Sequence, residues 1–188
     1  RVRTDGGRRT GGPMITILTG PVGGGKTTFL KAVVGRLAAL GRPPDGYLSE
    51  RAGDGRPAPG YDLLDLRTGR RIPFLRIAGA ADGLRTGAFD VLPGGLAAAA
   101  DIIGRSDPSR LLIIDELGRL ELGGRGVWPA AAPVFADARR SCLVVVRDAL
   151  MEDFQKRWPA RIAVAAVPLP PSRDPEILIR ALPAGNRL

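Results

Sequence analysis

The 188-residue sequence contains no histidine and only one cysteine, Cys142. Without histidine, a Ser-His-Asp triad and any general base that depends on imidazole are excluded. A single cysteine forms neither an intramolecular disulfide nor a cysteine-based metal site. Cys142 lies in an apolar run, which predicts a buried thiol. These absences leave carboxylates, hydroxyls and cationic side chains as the groups that can carry chemistry.

Long apolar runs are also missing, and none approaches the roughly 20 residues that a membrane-spanning helix requires. Residues 1–13 are polar and rich in glycine and arginine, without the apolar centre of a signal peptide. We expect this segment to be a disordered leader or a cloning remnant, followed by one domain over residues 14–188. The default prediction for such a chain, with one cysteine and no membrane partner, is a cytoplasmic location.

Aromatic residues make up 5% of the sequence, whereas the net charge is +9. A nucleic-acid surface would combine basic residues with aromatic side chains that stack on bases. Here the basic residues occur singly or in pairs, and the excess of arginine over lysine accompanies abundant alanine, glycine and proline, as in a GC-rich genome. We therefore expect no nucleic-acid partner, and a monomer that acts on small molecules.

Residues 20–27, GPVGGGKT, match the P-loop or Walker A pattern G-x-x-x-x-G-K-[ST]. A β-branched strand precedes them, and apolar residues at helical spacing follow over 26–40. Glycines let such a loop curl around an anion, beside the positive end of the next helix. Lys26 is expected to contact the β- and γ-phosphates, and the Thr27 hydroxyl to ligate Mg²⁺. The predicted nucleotide-binding residues are Gly20, Pro21, Val22, Gly23, Gly24, Gly25, Lys26, Thr27 and Thr28.

Residues 110–116, RLLIIDE, read as a buried parallel strand that ends in two carboxylates. Open α/β sheets bind their ligands at the carboxyl ends of the strands, so this is a predicted Walker B strand. Asp115 is expected to hold Mg²⁺ opposite Thr27, and Glu116 to orient the attacking water. About ninety residues separate the two motifs. That distance favours the P-loop class in which another strand lies between the two Walker strands.

Three more residues are candidates for the catalytic site. Glu50 is near the end of a predicted strand at 45–51 and is a second candidate for orienting water. Arg147 follows a predicted strand at 141–146, where P-loop folds place a residue that senses the γ-phosphate. Arg119 lies in a predicted loop at 117–126 and is the other candidate for extra positive charge in the transition state.

The remaining pattern predicts an α/β fold with a mainly parallel central sheet flanked by helices. An antiparallel insertion is expected at 45–92, with a hairpin turn at 67–70. The predicted strands are 45–51, 61–66, 71–77, 88–92, 110–116, 141–146 and 161–167. The predicted helices are 26–40, 93–103, 127–140, 148–158 and 175–182.

Several segments match the motifs of one family. They are GPVGGGKTT (20–28), GYLSE (46–50) for G-F-Y-T-E, GYD (60–62) for G-F-D, RTGAF (85–89) for R-x-G-x-Y/F, and DELGRLEL (115–122) for D-E-I-G-K-M-E-L. Over about residues 14–170 the chain thus resembles the small P-loop nucleoside-triphosphatases described from thermophiles and also present in animals. The resemblance implies a RecA-like core and slow Mg²⁺-dependent hydrolysis of nucleoside triphosphates, ATP and GTP among them, to diphosphate and phosphate.

The chain departs from that family at two places. Arg51 stands where the family often has a second glutamate, and Pro57-Ala58-Pro59 stands where it tends to carry basic residues. Both departures concern how the insertion contacts the substrate rather than whether phosphate binds.

The sequence analysis favours hydrolysis of the β–γ phosphoanhydride bond and leaves two alternatives open. One is a small-molecule kinase, whose acceptor pocket the 45–92 insertion could form. The other is a regulatory nucleotide-binding module whose hydrolysis serves a partner protein. No motif specific for a nucleobase distinguishes ATP from GTP.

Overall fold

The computed structural model describes residues 14–54, 58–79, 83–157 and 163–183, so the leader at 1–13 lies outside the described residues. The strands are β1 Met14–Gly20, β2 Asp45–Arg51, β3 Gly60–Asp65, β4 Arg71–Ile77, β5 Arg85–Thr86, β6 Phe89–Val91, β7 Leu112–Leu117, β8 Cys142–Arg147 and β9 Ala163–Pro168. The helices are α1 Lys26–Ala39, α2 Pro93–Gly104, α3 Arg119–Leu122, α4 Trp128–Ala136, α5 Met151–Arg157 and α6 Pro175–Ala181. The described strands form one sheet in the order β5-β6-β4-β3-β2-β7-β8-β1-β9.

The parallel part of the sheet contains both Walker strands. β1 pairs in parallel with β8 on one side and with β9 on the other, and β7 pairs in parallel with β8. β8 is buried from Cys142 to Val146, as expected of a central strand with helices over both faces. The prediction that another strand lies between the Walker strands is therefore confirmed, and so is the α/β fold class.

The antiparallel part extends the same sheet at one edge through β3, β4, β6 and β5. β2 pairs in parallel with β7 over Asp45–Tyr47. It also pairs antiparallel with β3 over Tyr47–Arg51, so β2 joins the two parts of the sheet, and strands β3 to β6 lie within the predicted insertion at 45–92. Gly46 allows the pairing with β7, because its φ is +107° and a Cβ there would lie 1.9 Å from the Ile113 carbonyl oxygen.

Helices cover the two faces of the sheet with two separate apolar cores. α1 and α6 cover one face, where Leu30 and Val33 pack against Leu18 and Val145. α2, α4 and α5 cover the other face, where Phe135 and Phe154 are buried. Cys142 is fully buried in this second core, as the sequence predicts. Within the described residues, no helix combines the length and the apolar content needed to cross a membrane.

Several element boundaries differ from the prediction. α4 ends at Ala136 instead of residue 140, and it contains Pro133, which removes one N–H from the helical hydrogen bonds. The predicted loop at 117–126 contains the short helix α3. The predicted helix at 148–158 begins as a 3₁₀ turn over Asp148–Leu150, before α5. Residues 158 and 161–162, at the ends of two predicted elements, lie outside the described residues.

Candidate functional site

The P-loop joins β1 to α1 at the carboxyl edge of the parallel strands. Gly25 caps α1 with a φ of +86°, in the left-handed region that glycine adopts without strain. Gly24 N donates to Pro21 O at 3.1 Å, which closes the loop. Lys26 Nζ donates to Gly20 O and to Pro21 O, both at 2.8 Å, and Lys26 is only 6% exposed. Neutral carbonyls therefore hold the ammonium at the loop, where its charge is available to a phosphate.

Thr27 and Asp115 bring the two motifs together. Thr27 Oγ1 donates to Asp115 Oδ2 at 2.8 Å, and Ser49 N donates to the same oxygen at 3.2 Å. Asp115 is 2% exposed. Burial raises its pKa to about 7, although these two hydrogen bonds lower it. A hydroxyl and a carboxylate oxygen thus lie side by side, as hard ligands of the kind that Mg²⁺ prefers.

This donor set fits a metal–nucleotide complex better than a metal bound by protein alone. Within the described residues, no cluster of three or more histidine, cysteine or acidic side chains is arranged to hold an ion. Mg²⁺ in nucleotide sites keeps several waters and binds one or two protein oxygens together with substrate phosphates. Thr27 and Asp115 supply the protein oxygens that such a complex needs.

Glu116 and Arg147 meet at the ends of β7 and β8. Arg147 Nε donates to Glu116 Oε1 at 2.5 Å, and both side chains are partly exposed. The residue after Arg147 also reaches a neighbouring strand, because Asp148 Oδ1 accepts a hydrogen bond from Thr19 Oγ1 at 2.5 Å. The ends of β1, β7 and β8 therefore present carboxylates and a guanidinium beside the P-loop.

Two other predicted site residues have different surroundings. Glu50 is buried near the end of β2, and both of its oxygens are in ion pairs: Oε1 with Lys31 Nζ at 2.7 Å, and Oε2 with Arg71. Arg119 is exposed at the first residue of α3, and no ion pair joins it to another described residue. The structure thus groups Lys26 with the Thr27–Asp115 pair, whereas Glu50 and Arg119 lie outside that group.

Glu121 organises the segment that follows the Walker B strand. Its carboxylate accepts hydrogen bonds from Gly118 N at 2.8 Å and from Val127 N at 3.1 Å. Burial raises the pKa of Glu121, although these backbone hydrogen bonds oppose the rise. Gly126 has a φ of +60°, and a Cβ there would lie 2.0 Å from Glu121 Oε1. The segment after Glu116 is therefore fixed from inside by one buried carboxylate.

Sequence analysis assigned no role to three residues at this edge. They are Ser49, whose N–H contacts Asp115; Asp148, which contacts Thr19; and Arg173, whose Nη2 donates to Gly24 O at 2.7 Å. Asp148 had one signal, because it directly follows the candidate Arg147. Arg173 had none in the pattern, since it lies 149 residues from its contact in the P-loop.

Comparison with known proteins gives consistent matches. A sequence model of the NTPase family matches residues 15–168. The nucleoside-triphosphatase THEP1 of Methanopyrus kandleri is 31% identical over 137 residues, which are 72% of this chain and 74% of that protein. The human cancer-related nucleoside-triphosphatase is 33% identical over 116 residues, which are 56% of this chain and 60% of that protein. The second match spans less than two thirds of the relative's length.

Two solved structures share the fold. The crystal structure of THEP1 from the hyperthermophile Aquifex aeolicus has a TM-score of 0.69 and 24% identity, over 93% of this chain and 100% of that one. The solution structure of a human cancer-related nucleoside triphosphatase has a TM-score of 0.68 and 24% identity, over 89% of this chain and 95% of that one. At this identity, the two structures show a common fold.

Proposed function

This chain belongs to the NTPase family, a family of nucleoside-triphosphate hydrolases, and we propose that it cleaves the β–γ phosphoanhydride bond of nucleoside triphosphates in a Mg²⁺-dependent reaction. The products are a nucleoside diphosphate and phosphate, and ATP and GTP are both proposed substrates. The resemblance seen in the sequence is confirmed by these matches. The proposed setting is the cytoplasm, with a monomer as the acting unit and no nucleic-acid partner.

The observation that carries the proposal is the 2.8 Å contact between Thr27 Oγ1 and Asp115 Oδ2. The two residues are 88 positions apart in sequence, yet their side-chain oxygens are in hydrogen-bond contact next to Lys26. Hydroxyl, buried carboxylate and lysine are the protein parts that P-loop enzymes use on a metal-bound triphosphate. A Gly-rich turn that matched the P-loop pattern by chance would not be expected to contact the acidic residue at the end of another strand.

The proposed roles of the P-loop residues follow from their contacts. Lys26 is held by neutral carbonyls, so its charge can stabilise the oxygens of the transferring phosphoryl group. Thr27 and Asp115 would hold Mg²⁺, which when bound supplies further charge stabilisation on the phosphate oxygens. The glycines of residues 20–25 would allow the backbone N–H groups of the loop to point at the phosphates.

Glu116 is the proposed water-orienting carboxylate, and Arg147 is its partner. Glu116 directly follows the proposed metal ligand and is partly exposed, so water can reach it. The 2.5 Å contact between Arg147 and Glu116 supports the proposal that this guanidinium stabilises the negative charge that develops on the γ-phosphate. Glu50 remains a second candidate for orienting the attacking water, and Arg119 remains a second candidate for supplying extra positive charge in the transition state.

The test compares phosphate release by the wild-type protein and by Glu116→Gln, with ATP, GTP, CTP and UTP in the presence of Mg²⁺. We expect the wild-type protein to release phosphate from all four, and Glu116→Gln to lose at least about 100-fold in turnover while still binding nucleotide. Glu152→Gln is the matched control, because Glu152 is an exposed glutamate on α5 whose ion pair among the described residues is with Lys156, one turn further along the same helix. Chelation of Mg²⁺ should stop phosphate release by the wild-type protein and by Glu152→Gln.

Other results would point to the two alternatives. Tight nucleotide binding without release by the wild-type protein would contradict hydrolysis. Faster nucleotide consumption on adding nucleosides or sugars would then indicate a kinase. Release that rises only with a co-purified partner would indicate a regulatory module.

A further inference from the structure

A second cation lies beside the P-loop, on the segment 169–174 between β9 and α6. Arg173 Nη2 donates to the Gly24 carbonyl oxygen at 2.7 Å. This acceptor is neutral, and no described carboxylate forms an ion pair with Arg173. A guanidinium has five N–H donors, so most of them remain for another ligand. Like Lys26, Arg173 therefore brings an uncompensated positive charge to the loop.

The backbone around Arg173 is held in place from both ends. Leu169 N donates to Thr19 O at 2.7 Å, which attaches the start of the segment to β1. At its end, Asp174 Oδ1 accepts from Glu176 N at 3.0 Å and caps α6. The guanidinium is thus presented by a fixed turn rather than by a free chain end.

The conformation of Arg173 is one that arginine rarely adopts. Its φ is +55°, in the left-handed region that favours glycine. Folding alone would be served better by glycine at this position. A charged side chain kept in an unfavourable backbone conformation, beside a binding loop, indicates a functional constraint.

The sheet order shows which end of a bound nucleotide faces Arg173. Thr27 and Asp115, which would hold the metal and with it the terminal phosphates, meet on the side of β1 where β8 and β7 lie. β9 lies on the opposite side of β1, and Arg173 belongs to the segment that follows β9. A triphosphate held along the P-loop in this direction has its α-phosphate and ribose on the side of Arg173.

We propose that Arg173 binds the α-phosphate and ribose end of the nucleotide, next to its contact with Gly24. The inference rests on the proposed function in one respect, that the P-loop holds a nucleoside triphosphate. A guanidinium pairs with phosphate oxygens through charge and geometry, and the α-phosphate and ribose are common to all four nucleotides. The contact therefore adds affinity equally for purine and pyrimidine nucleotides.

The experiment measures Kd for ATP, GTP, CTP and UTP with Mg²⁺, in a Glu116→Gln background so that turnover does not interfere. Adding Arg173→Gly removes the guanidinium and relieves the backbone, so the melting temperature should hold or rise. We expect Kd to weaken by about tenfold or more, and by a similar factor for all four nucleotides. Arg173→Lys should recover part of this loss, because it keeps the charge.

Arg36→Ala is the structural control in the same background. Arg36 on α1 pairs with Glu176 on α6 at 2.5 Å, so its loss loosens α6 without touching the P-loop. It should bind nucleotide as tightly as the parent protein.

Four results would overturn the proposal. They are an unchanged Kd in Arg173→Gly, an equal loss in Arg36→Ala, a loss restricted to purine or to pyrimidine nucleotides, and no nucleotide binding by the parent. Only the last of these would also contradict the proposed function. Conversely, a wild-type protein that binds nucleotide but releases no phosphate would contradict hydrolysis and leave the Arg173 measurement intact.

Discussion

The two parts of the sheet use their charged residues in opposite ways. In the antiparallel part, arginines pair with nearby carboxylates: Arg76 with Asp62 at 2.7 Å and Arg85 with Asp90 at 2.8 Å. At the carboxyl edge of the parallel part, Lys26 and Arg173 contact only backbone carbonyls in their described hydrogen bonds. Positive charge is thus cancelled locally in these antiparallel pairs and left available at the P-loop, although Arg147 at the same edge is paired with Glu116.

This difference predicts which residues contribute to the stability of the fold and which contribute to binding and catalysis. In each ion pair of the antiparallel part the two side chains satisfy each other's charge, so removing one of them should lower the free energy of unfolding. A cation held by neutral carbonyls keeps its affinity for an anion, so its loss should be felt in binding or catalysis. Substitutions in the two parts should therefore act on different measurements, and the predictions below test this from the largest effect to the smallest.

The largest effect is expected for Lys26→Ala. It removes the ammonium that is proposed to stabilise the transferring phosphoryl group, so kcat/KM for ATP should fall by about 10³-fold. The two hydrogen bonds from Lys26 Nζ to the Gly20 and Pro21 carbonyls are lost as well, but the bond from Gly24 N to Pro21 O that closes the loop remains, so the melting temperature should fall only slightly. Steady-state phosphate release and thermal unfolding measure the two quantities. A variant with near wild-type kcat/KM would contradict the assigned role.

The opposite result is expected for Asp65→Asn in the antiparallel part. Asp65 is 2% exposed, and it accepts hydrogen bonds from Thr68 Oγ1 and from Arg105 Nη2, both at 2.6 Å. Loss of these charge-assisted bonds should lower the free energy of unfolding by about 2 kcal/mol. Denaturant unfolding measures it, and kcat should not change.

The difference in the free energy of unfolding between the wild type and Asp65→Asn should also depend on pH, which provides a second check. Burial alone would raise the pKa of Asp65, but the hydrogen bonds that it accepts bring it below its ordinary value of 3.8. The carboxylate therefore stabilises the fold fully above pH 3.8, and the stabilisation is lost as pH falls through the lower pKa of the folded state. The difference in the free energy of unfolding between the wild type and Asp65→Asn should therefore become smaller at acid pH. A gap that stays constant down to the acid unfolding range would contradict this account.

Glu50 lies at the boundary of the two parts and sharpens the comparison. One oxygen pairs with Lys31 on α1, and the other with Arg71 on β4. Because both oxygens are engaged, Glu50→Gln should reduce turnover by less than about tenfold, far less than Glu116→Gln. It should also lower the melting temperature. Parallel kinetics of the two variants decide between them, and a larger loss for Glu50→Gln would make Glu50 the water-orienting residue.

The sequence predicted those parts of the site that depend on contiguous spacing. The P-loop and the Asp115-Glu116 pair are short motifs, because their residues must be neighbours on one turn or one strand end. The strand between the two Walker strands followed from the distance between the motifs. Arg173 and Ser49 were not predictable in this way, since their contacts depend on how separate elements approach in the folded sheet.

The parts of the fold that the sequence analysis did not predict have two different causes. β2 is predicted as part of the antiparallel insertion and does pair antiparallel with β3, but its additional parallel pairing with β7 requires a close backbone approach at Gly46. The segment predicted as a loop after Glu116 contains the helical turn α3, which Glu121 caps through the hydrogen bond that it accepts from Gly118 N, three residues earlier. The pairing of β2 with β7 depends on a long-range contact, whereas this cap is a local signal that the prediction missed.

The smallest effect is expected for Arg119→Ala, which tests the choice between the two candidate arginines. Arg119 is exposed and has no ion pair with the other described residues, whereas Arg147 contacts Glu116. An exposed side chain without such contacts should change turnover by less than about twofold. Arg147→Ala should instead reduce kcat by about 10-fold to 100-fold, because its guanidinium is proposed to face the developing charge. If Arg119→Ala were the more damaging variant under single-turnover conditions, α3 would have to move toward the nucleotide during catalysis, and Arg119 would take the role assigned to Arg147.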